Sequence, residues 1–414
     1  MKLVLLCAYS ISPESNSEPG MAWRQFLELL KLKKYSFVLI TRKKNVKRIE
    51  EYLNENDIQG VVLEGVDLPK NLLFWKKGHL AMHLYYYVWQ LLAYFRAKRL
   101  VKSQEFVLAH HLSFMTIRTS FVSFLGVPSI LGPVGGAQLP PDGFEKVLGG
   151  AKNTLRSLSI LSMQFSPLWR KFIHNTNIIL LANNANKHII PQQDITRCHA
   201  LQIPWWTDQN KRDVNGPEIP TTAASVDTVR LLWCSRLIKW KGLEVALRSL
   251  SQLVNDYKFN RVRLDVVGKG EDQQYFQELT ELLGLSSYVC FKGFVTEKEK
   301  KQLFHSADIC LFTSLHETTG TTLFEYLDYS KCAVVLDHAG PGEIGRNTEC
   351  EMIDCSNGLA HAVDMLSLSL HVLCEDGAVR KIRGKHSNRL FLDKYSPDNY
   401  VQAIDSLYEA IVND

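Results

Sequence analysis

Short apolar runs alternate along the chain with longer stretches whose apolar positions recur every three or four residues. This is the pattern of buried strands separated by helices. In the first half the runs fall at 3–8, 37–40, 60–63, 106–109, 129–131 and 178–181. In the second half they fall at 229–234, 263–267, 288–291, 309–312 and 333–336. Strands that alternate with helices predict parallel sheets built from β-α-β units. Between the halves, 207–228 is polar, aperiodic and carries two prolines, and it reads as a linker. The expected organisation is an α/β chain of two Rossmann-like, doubly wound domains, 1–205 and 206–396, facing each other across a cleft. The tail opens with Ser-Pro and then places Tyr400, Ile404, Leu407 and Ile411 on one helical stripe. A helix at 397–412 is expected to pack back on the first domain.

Composition narrows the picture. The chain has 414 residues, enough for two or three domains, with 46% hydrophobic and 22% charged residues, the balance of an ordinary globular protein. Nine cysteines are scattered singly, with no C-x-x-C pair and no Cys/His spacing suited to zinc. That usage predicts free thiols and a cytoplasmic protein. The opening "MKLVLLCAYS" has too short an apolar core for a signal peptide and predicts a buried first strand.

Charge is uneven. Residues 1–105 hold 17 Lys/Arg against 10 Asp/Glu, whereas the whole chain is only +5. The basic clusters are "KLKK", "RKKNVKR", "WKKGH" and "RAKRLVK", and the last two flank the apolar stretch "LAMHLYYYVWQLLAYF" at 80–95. That stretch is shorter than a spanning helix requires. It reads either as a core-facing helix with basic ends or as an element seated on an anionic membrane. Nucleic acid is a weaker reading, because the aromatics fall at helical spacing that core packing explains.

The chemistry-bearing residues fall where strands give way to helices. Glu317 and Glu325 stand eight positions apart around Gly320, after the run ending near Phe312. Amides at the start of such a helix suit a diphosphate or sugar oxygens, and an ionised Glu325 suits vicinal hydroxyls. A capping Glu317 and a solvated Glu325 are the structural alternative. In "LLWCSRLIKWKG", Arg236 and Lys241 follow the strand ending at Cys234 and could hold a diphosphate, or could form a solvated basic loop. "VVGKGEDQQYF" starts as G-x-G but has Gln273 where a dinucleotide fingerprint needs glycine. "LDHAGPGEIG", "GPVGGAQLPP" and "SNSEPGMAW" are further glycine-bearing junctions, and no P-loop or D-x-D pair occurs.

Taken together, the pair Glu317/Glu325 with Gly320, the "SRLIKWKG" loop, "VVGKGED" and "HAGPGE" occur in the order seen in the retaining glycosyltransferases of family 4. The chain resembles that family, of the GT-B fold, and "SNSEPGMAW", "HHLSF" and "GPVGGAQLP" look like its bacterial surface-polysaccharide members. The resemblance implies transfer of a sugar from a UDP- or GDP-sugar to a growing, lipid-linked glycan, with no metal and no cofactor. It implies that Arg236 and Lys241 hold the donor diphosphate, that Glu325 takes the ribose hydroxyls and that Glu317 faces the transferred sugar. Gly20, Gly268, Gly320 and Thr321 join the donor-binding set, and His110 or His111 faces the donor sugar unless it is a satisfied core histidine. Ser330, Cys332 and Tyr326 depart from the family's pattern near the second acid. The alternatives are a GT-B nucleotide-sugar epimerase or hydrolase and a non-catalytic sugar- or lipid-binding partner. The implied location is the cytoplasm, at the inner face of the membrane.

Overall fold

The eleven apolar runs become strands, joined by two more to make thirteen, among the described residues of a computed structural model, which describes 1–15, 17–73, 78–118, 120–202 and 228–413. The first seven are β1 (Lys2–Ala8), β2 (Tyr35–Thr41), β3 (Val61–Gly65), β4 (Leu108–Ser113), β5 (Ser129–Val134), β6 (Ile178–Leu181) and β7 (Cys198–Ala200). They form one sheet in the order β3-β2-β1-β4-β5-β6-β7, every pair parallel. The remaining six are β8 (Val229–Cys234), β9 (Val262–Val267), β10 (Val289–Gly293), β11 (Ile309–Phe312), β12 (Cys332–Leu336) and β13 (Glu351–Ile353). Their sheet runs β10-β9-β8-β11-β12-β13, again all parallel.

Successive side chains on a strand point to opposite faces, so a strand covered on both faces can be apolar throughout. The second sheet shows this directly. Leu231, Trp233, Leu264, Val266, Leu311 and Val334 enter one core cluster. Their neighbours Leu232, Val267, Cys310, Phe312, Ala333 and Val335 enter the other. The last strand of each sheet, β7 or β13, has only three residues, too short a run for a hydrophobicity pattern to mark it as an edge strand.

The described chain divides into two compact units. The first comprises Met1–Ala137, Ser159–Ile203 and Pro397–Asp414, and the second Gln138–Leu158 and Pro204–Ser396. Gln138–Leu158, assigned from sequence to 1–205, belongs with the second unit because Phe144 and Val147 are buried in that unit's core. The expected boundary at 205–228 lies outside the described residues save its last position.

In the first unit the helix Pro397–Asn413 buries Tyr400, Ile404, Tyr408 and Ile411. Tyr408, not Leu407, completes the stripe. Its hydroxyl meets His110 Nδ1 at 2.7 Å. The stretch 80–95 lies within the 26-residue helix Gly78–Ser103, which is apolar on two faces. Tyr85, Tyr86, Trp89, Ala93, Ala97 and Leu100 are buried against the sheet. On the outer face Leu84, Tyr87, Leu91 and Phe95 are 54%, 40%, 56% and 55% exposed. No helix among the described residues is long and apolar enough to cross a membrane.

Candidate active site

Sheet order reverses direction between β8 and β11, so their carboxyl ends open a crevice from which the two following loops diverge. The loop after β8 carries Arg236 and Lys241, and the loop after β11 carries Glu317 and Gly320. Three hydrogen bonds lash the loops together. Trp233 Nε1 donates to Thr313 Oγ1 at 3.1 Å, and that hydroxyl donates to the Gly242 carbonyl at 2.8 Å. The Leu315 amide donates to the Trp240 carbonyl at 2.9 Å. Gly242 is required at this crossing: its φ is +70°, and a Cβ there would stand 1.8 Å from the Thr313 carbonyl oxygen.

The lashing brings Lys241 and Glu317 into an ion pair, with their side chains 13% and 22% exposed. Arg236 stays exposed. Lys239 is engaged elsewhere: its amide donates to Asp272 Oδ2 at 2.8 Å and its ammonium lies 4.4 Å from the centre of the Tyr275 ring. Of the basic residues in "SRLIKWKG", Lys241 therefore pairs across to the loop after β11, while Arg236 stands exposed on its own loop.

Gly320, at φ +85°, turns the chain into the helix Thr321–Asp328, whose first turn starts at Thr321. One turn farther, Glu325 is largely buried and pairs with Lys300, Nζ to Oε1 2.5 Å. Burial raises the Glu325 carboxyl above its ordinary range, and Lys300 pulls it back. Lys300 was not singled out from sequence. The "TEKE" capping box marks where its helix begins but not its partner.

Gly268 ends β9, and its amide donates to the Gly293 carbonyl at 2.8 Å. Arg236, Lys241, Gly268, Glu317, Gly320, Thr321 and Glu325 thus all lie in the second unit, on the carboxyl edge of its sheet or in the helix that leaves it. The glycine-rich loop also ends there. Gln138 Nε2 donates to Thr318 Oγ1 at 2.7 Å, His316 Nε2 donates to the Gln138 carbonyl at 3.1 Å, and His338 Nε2 donates to the Leu139 carbonyl at 2.7 Å.

The three departures from the family's pattern resolve differently. Ser330 and Cys332 sit where the chain enters β12, at the amino end of the sheet and opposite the candidate site. Tyr326 is fully buried and its hydroxyl accepts the Cys234 amide at 3.0 Å, closing the end of β8 from behind. The expectation that all three lie beside a donor is corrected: two are at the wrong end of the strand and the third is core.

Gly20, His110 and His111 belong to the first unit. Gly20 is buried in the first turn of the helix Glu18–Leu30. His110 and His111 are both fully buried. His110 bonds Tyr408 Oη through Nδ1 and the Gly132 carbonyl through Nε2, at 2.7 and 2.8 Å. His111 bonds the Phe114 carbonyl at 3.1 Å through Nε2 and Ser120 Oγ at 2.9 Å through Nδ1. Burial lowers them to about 3 and about 4. Both nitrogens of each ring are engaged by the protein, which is the satisfied core histidine that the sequence left as the alternative.

Residues 219–364 match the family described as "Glycosyl transferases group 1". The segment holds the loops after β8, β9 and β11 and both acids of the candidate site. An uncharacterized glycosyltransferase of Methanocaldococcus jannaschii is 24% identical over 186 residues, 44% of this chain and 45% of that protein. A lipopolysaccharide core biosynthesis glycosyltransferase of Rhizobium meliloti is 26% identical over 174 residues, 41% of this chain and 48% of that protein. The chain thus spans less than half the length of these relatives. An Anabaena protein crystallised with UDP and glucose shares the fold over 99% of this chain and 100% of that one, with a TM-score of 0.60 at 14% identity. The two parallel doubly wound sheets are those of the GT-B fold.

Among the described residues no cluster of three or more His, Cys, Asp and Glu side chains is arranged as a metal site. The edge offers Arg236, Lys241 and Glu317 on loops and Glu325 on the helix that leaves it. Such a set can hold a phosphorylated, hydroxyl-rich ligand.

Proposed function

We propose that the protein is a retaining glycosyltransferase that moves a sugar from a UDP- or GDP-sugar to a growing, lipid-linked surface glycan without a divalent metal. The observation that carries this reading is the placement of Arg236, Lys241, Glu317 and Glu325 around the switch point of a parallel sheet, inside the segment that matches group 1 glycosyltransferases. The Rhizobium relative named for lipopolysaccharide core biosynthesis supports the choice of acceptor class. The Anabaena structure with UDP and glucose supports the choice of donor class.

The roles follow from charge and reach. Arg236 and Lys241 take the diphosphate, and the free amides of the helix starting at Thr321 add the positive end of its dipole. Negative charge grows on the leaving phosphate as the glycosidic bond breaks, so cations fixed beside it favour the transition state over the ground state. Binding the diphosphate draws Lys241 from Glu317 and turns that acid toward the sugar hydroxyls. Glu325 accepts from the ribose. The acceptor hydroxyl attacks from the face the phosphate leaves, and the departing phosphate takes its proton.

The first unit supports a membrane-facing acceptor side. The exposed stripe Leu84, Tyr87, Leu91 and Phe95 runs on at helical spacing into exposed Lys98 and Lys102. A helix that is apolar on its solvent face and basic at its end suits the interface of an anionic bilayer. Each lysine near such a surface contributes about 1 kcal/mol.

A panel of UDP- and GDP-sugars, with and without a lipid-linked acceptor extract and in excess chelator, tests the reading. Acceptor-dependent transfer with retained anomeric configuration, undiminished by chelator, is expected. Donor isomerised or hydrolysed without acceptor would make the protein an epimerase or hydrolase instead, and donor left intact in every mixture would leave a binding protein.

A further inference from the structure

Glu325 owes its place to a second helix. Thr296 and Glu299 form a reciprocal capping box, which fixes the first turn of the helix Glu297–Ser306. Lys300 follows at once and extends across the Phe304 ring, its ammonium 5.5 Å from the ring centre. From there it holds Glu325 Oε1 at 2.5 Å, with the two side chains 22% and 12% exposed. The charged and titratable groups around Glu325 are Lys300 and Glu297 from that helix, Asp328 from its own, and the Cys234 thiol at the end of β8. Tyr326 and Tyr329 flank it with phenols that burial keeps protonated. Lys300 is the cation in this set.

A carboxylate can accept from two vicinal hydroxyls only while it is ionised, and a buried carboxyl is driven toward the neutral acid. We propose that Lys300 is a positioning residue for nucleotide recognition: it keeps Glu325 ionised and fixes Oε1, so that Oε2 is presented to the ribose. The proposal rests on the reading of Glu325 given above and assigns no contact between Lys300 and the ligand. The opposing pull of burial on Glu325 is the reason a partner is needed.

Calorimetry with UDP and GDP, each against its 2′,3′-dideoxy analogue, at pH 6 and pH 8 tests this in wild type and in Lys300→Gln, Lys300→Met, Lys300→Arg and Glu325→Gln. The quantity read is the ribose preference, the ratio of the dideoxy to the ribose dissociation constant. Wild type and Lys300→Arg should show a preference of about tenfold at both pH values. Glu325→Gln should lose it at both. Lys300→Gln should lose most of it, more at pH 6 than at pH 8, because burial favours the neutral acid once the cation is gone, and Lys300→Met, which keeps an apolar stem against Phe304, should do the same. Neutral Lys300 variants that keep the wild-type preference at pH 6 would overturn the positioning role while leaving Glu325 in place. A wild type without preference, or Glu325→Gln that retains it, would overturn the ribose assignment and this proposal together.

Discussion

The buried histidines give a test of whether the first unit contributes an imidazole to chemistry. Lowering the pH from 7 to 5 is the perturbation. In the unfolded chain each imidazole takes up a proton near its ordinary value of about 6.5. In the fold His110 waits until about 3 and His111 until about 4, because burial disfavours the cation. Across this window the unfolded state therefore binds more protons, and stability falls as the pH falls. Each pH unit below about 6.5 costs about 1.4 kcal/mol per histidine, so reaching pH 5 costs about 2 kcal/mol for each. His305 and His338 of the second unit are also lowered and add in the same sense. Residue-specific imidazole NMR separates them: His110 and His111 should stay neutral from pH 8 to 5, with or without UDP, while urea midpoints decline. A ring at either position that titrates near 6.5, or shifts when UDP is added, would refute the core assignment and return that histidine to the list of donor-facing groups.

Three further outcomes follow from the second unit's edge and the first unit's outer helix. Arg236→Ala should weaken UDP or GDP binding tenfold or more, since a charge-assisted phosphate contact is worth about 1.5–3 kcal/mol. Glu317→Gln should instead tighten it by roughly two- to fivefold while slowing transfer, because Lys241 is released from a pair worth up to about 1 kcal/mol; equal affinities in wild type and both variants by calorimetry would remove these residues from the site. In flotation assays the protein should bind anionic vesicles and be released by salt, and Leu91→Glu with Phe95→Glu should abolish binding; equal failure of wild type on anionic and neutral vesicles would leave the stripe unexplained and the transferase reading intact.

The fold was legible because β11 and β12 are unbroken apolar runs, the mark of strands buried on both faces, and β8 and β9 are apolar at most positions. The same rule misled at β4. The apolar pattern predicts a strand ending at Ala109, but Leu108–Ser113 continues through two histidines that look polar and are neutral core. In the last helix Tyr408 displaced Leu407 from the expected stripe, because its hydroxyl has a buried partner in His110. Spacing along the chain was enough to place Glu317, Gly320 and Glu325 at one strand-loop-helix corner. It could not reveal Lys300, which is 25 residues from Glu325 and meets it only once two neighbouring crossover helices are packed. The partnership of Gln138 with Thr318 spans 180 residues and was equally hidden.

The two lysine–carboxylate pairs answer one electrostatic problem. On the proposed reading the carboxylates recognise hydroxyls while a nucleoside diphosphate would bring negative charge to the same edge, and like charges at close range repel. Here each acid comes with its own cation, Glu317 with Lys241 from the loop after β8 and Glu325 with Lys300 from a flanking helix. Arg236 then remains as surplus positive charge for the phosphates. The pairs are not equivalent. Lys241 sits on a lashed loop at the crevice and can exchange a carboxylate for a phosphate at little cost, since the charge it compensates is replaced in kind. Lys300 is set back behind Glu325, over Phe304, and withdrawing it would strand a buried carboxylate without a counter-charge, the arrangement that costs most in a protein interior. If the proposed function holds, one lysine would change partners during the reaction cycle and the other would stay, a division of labour that follows from where the two chain segments enter the edge.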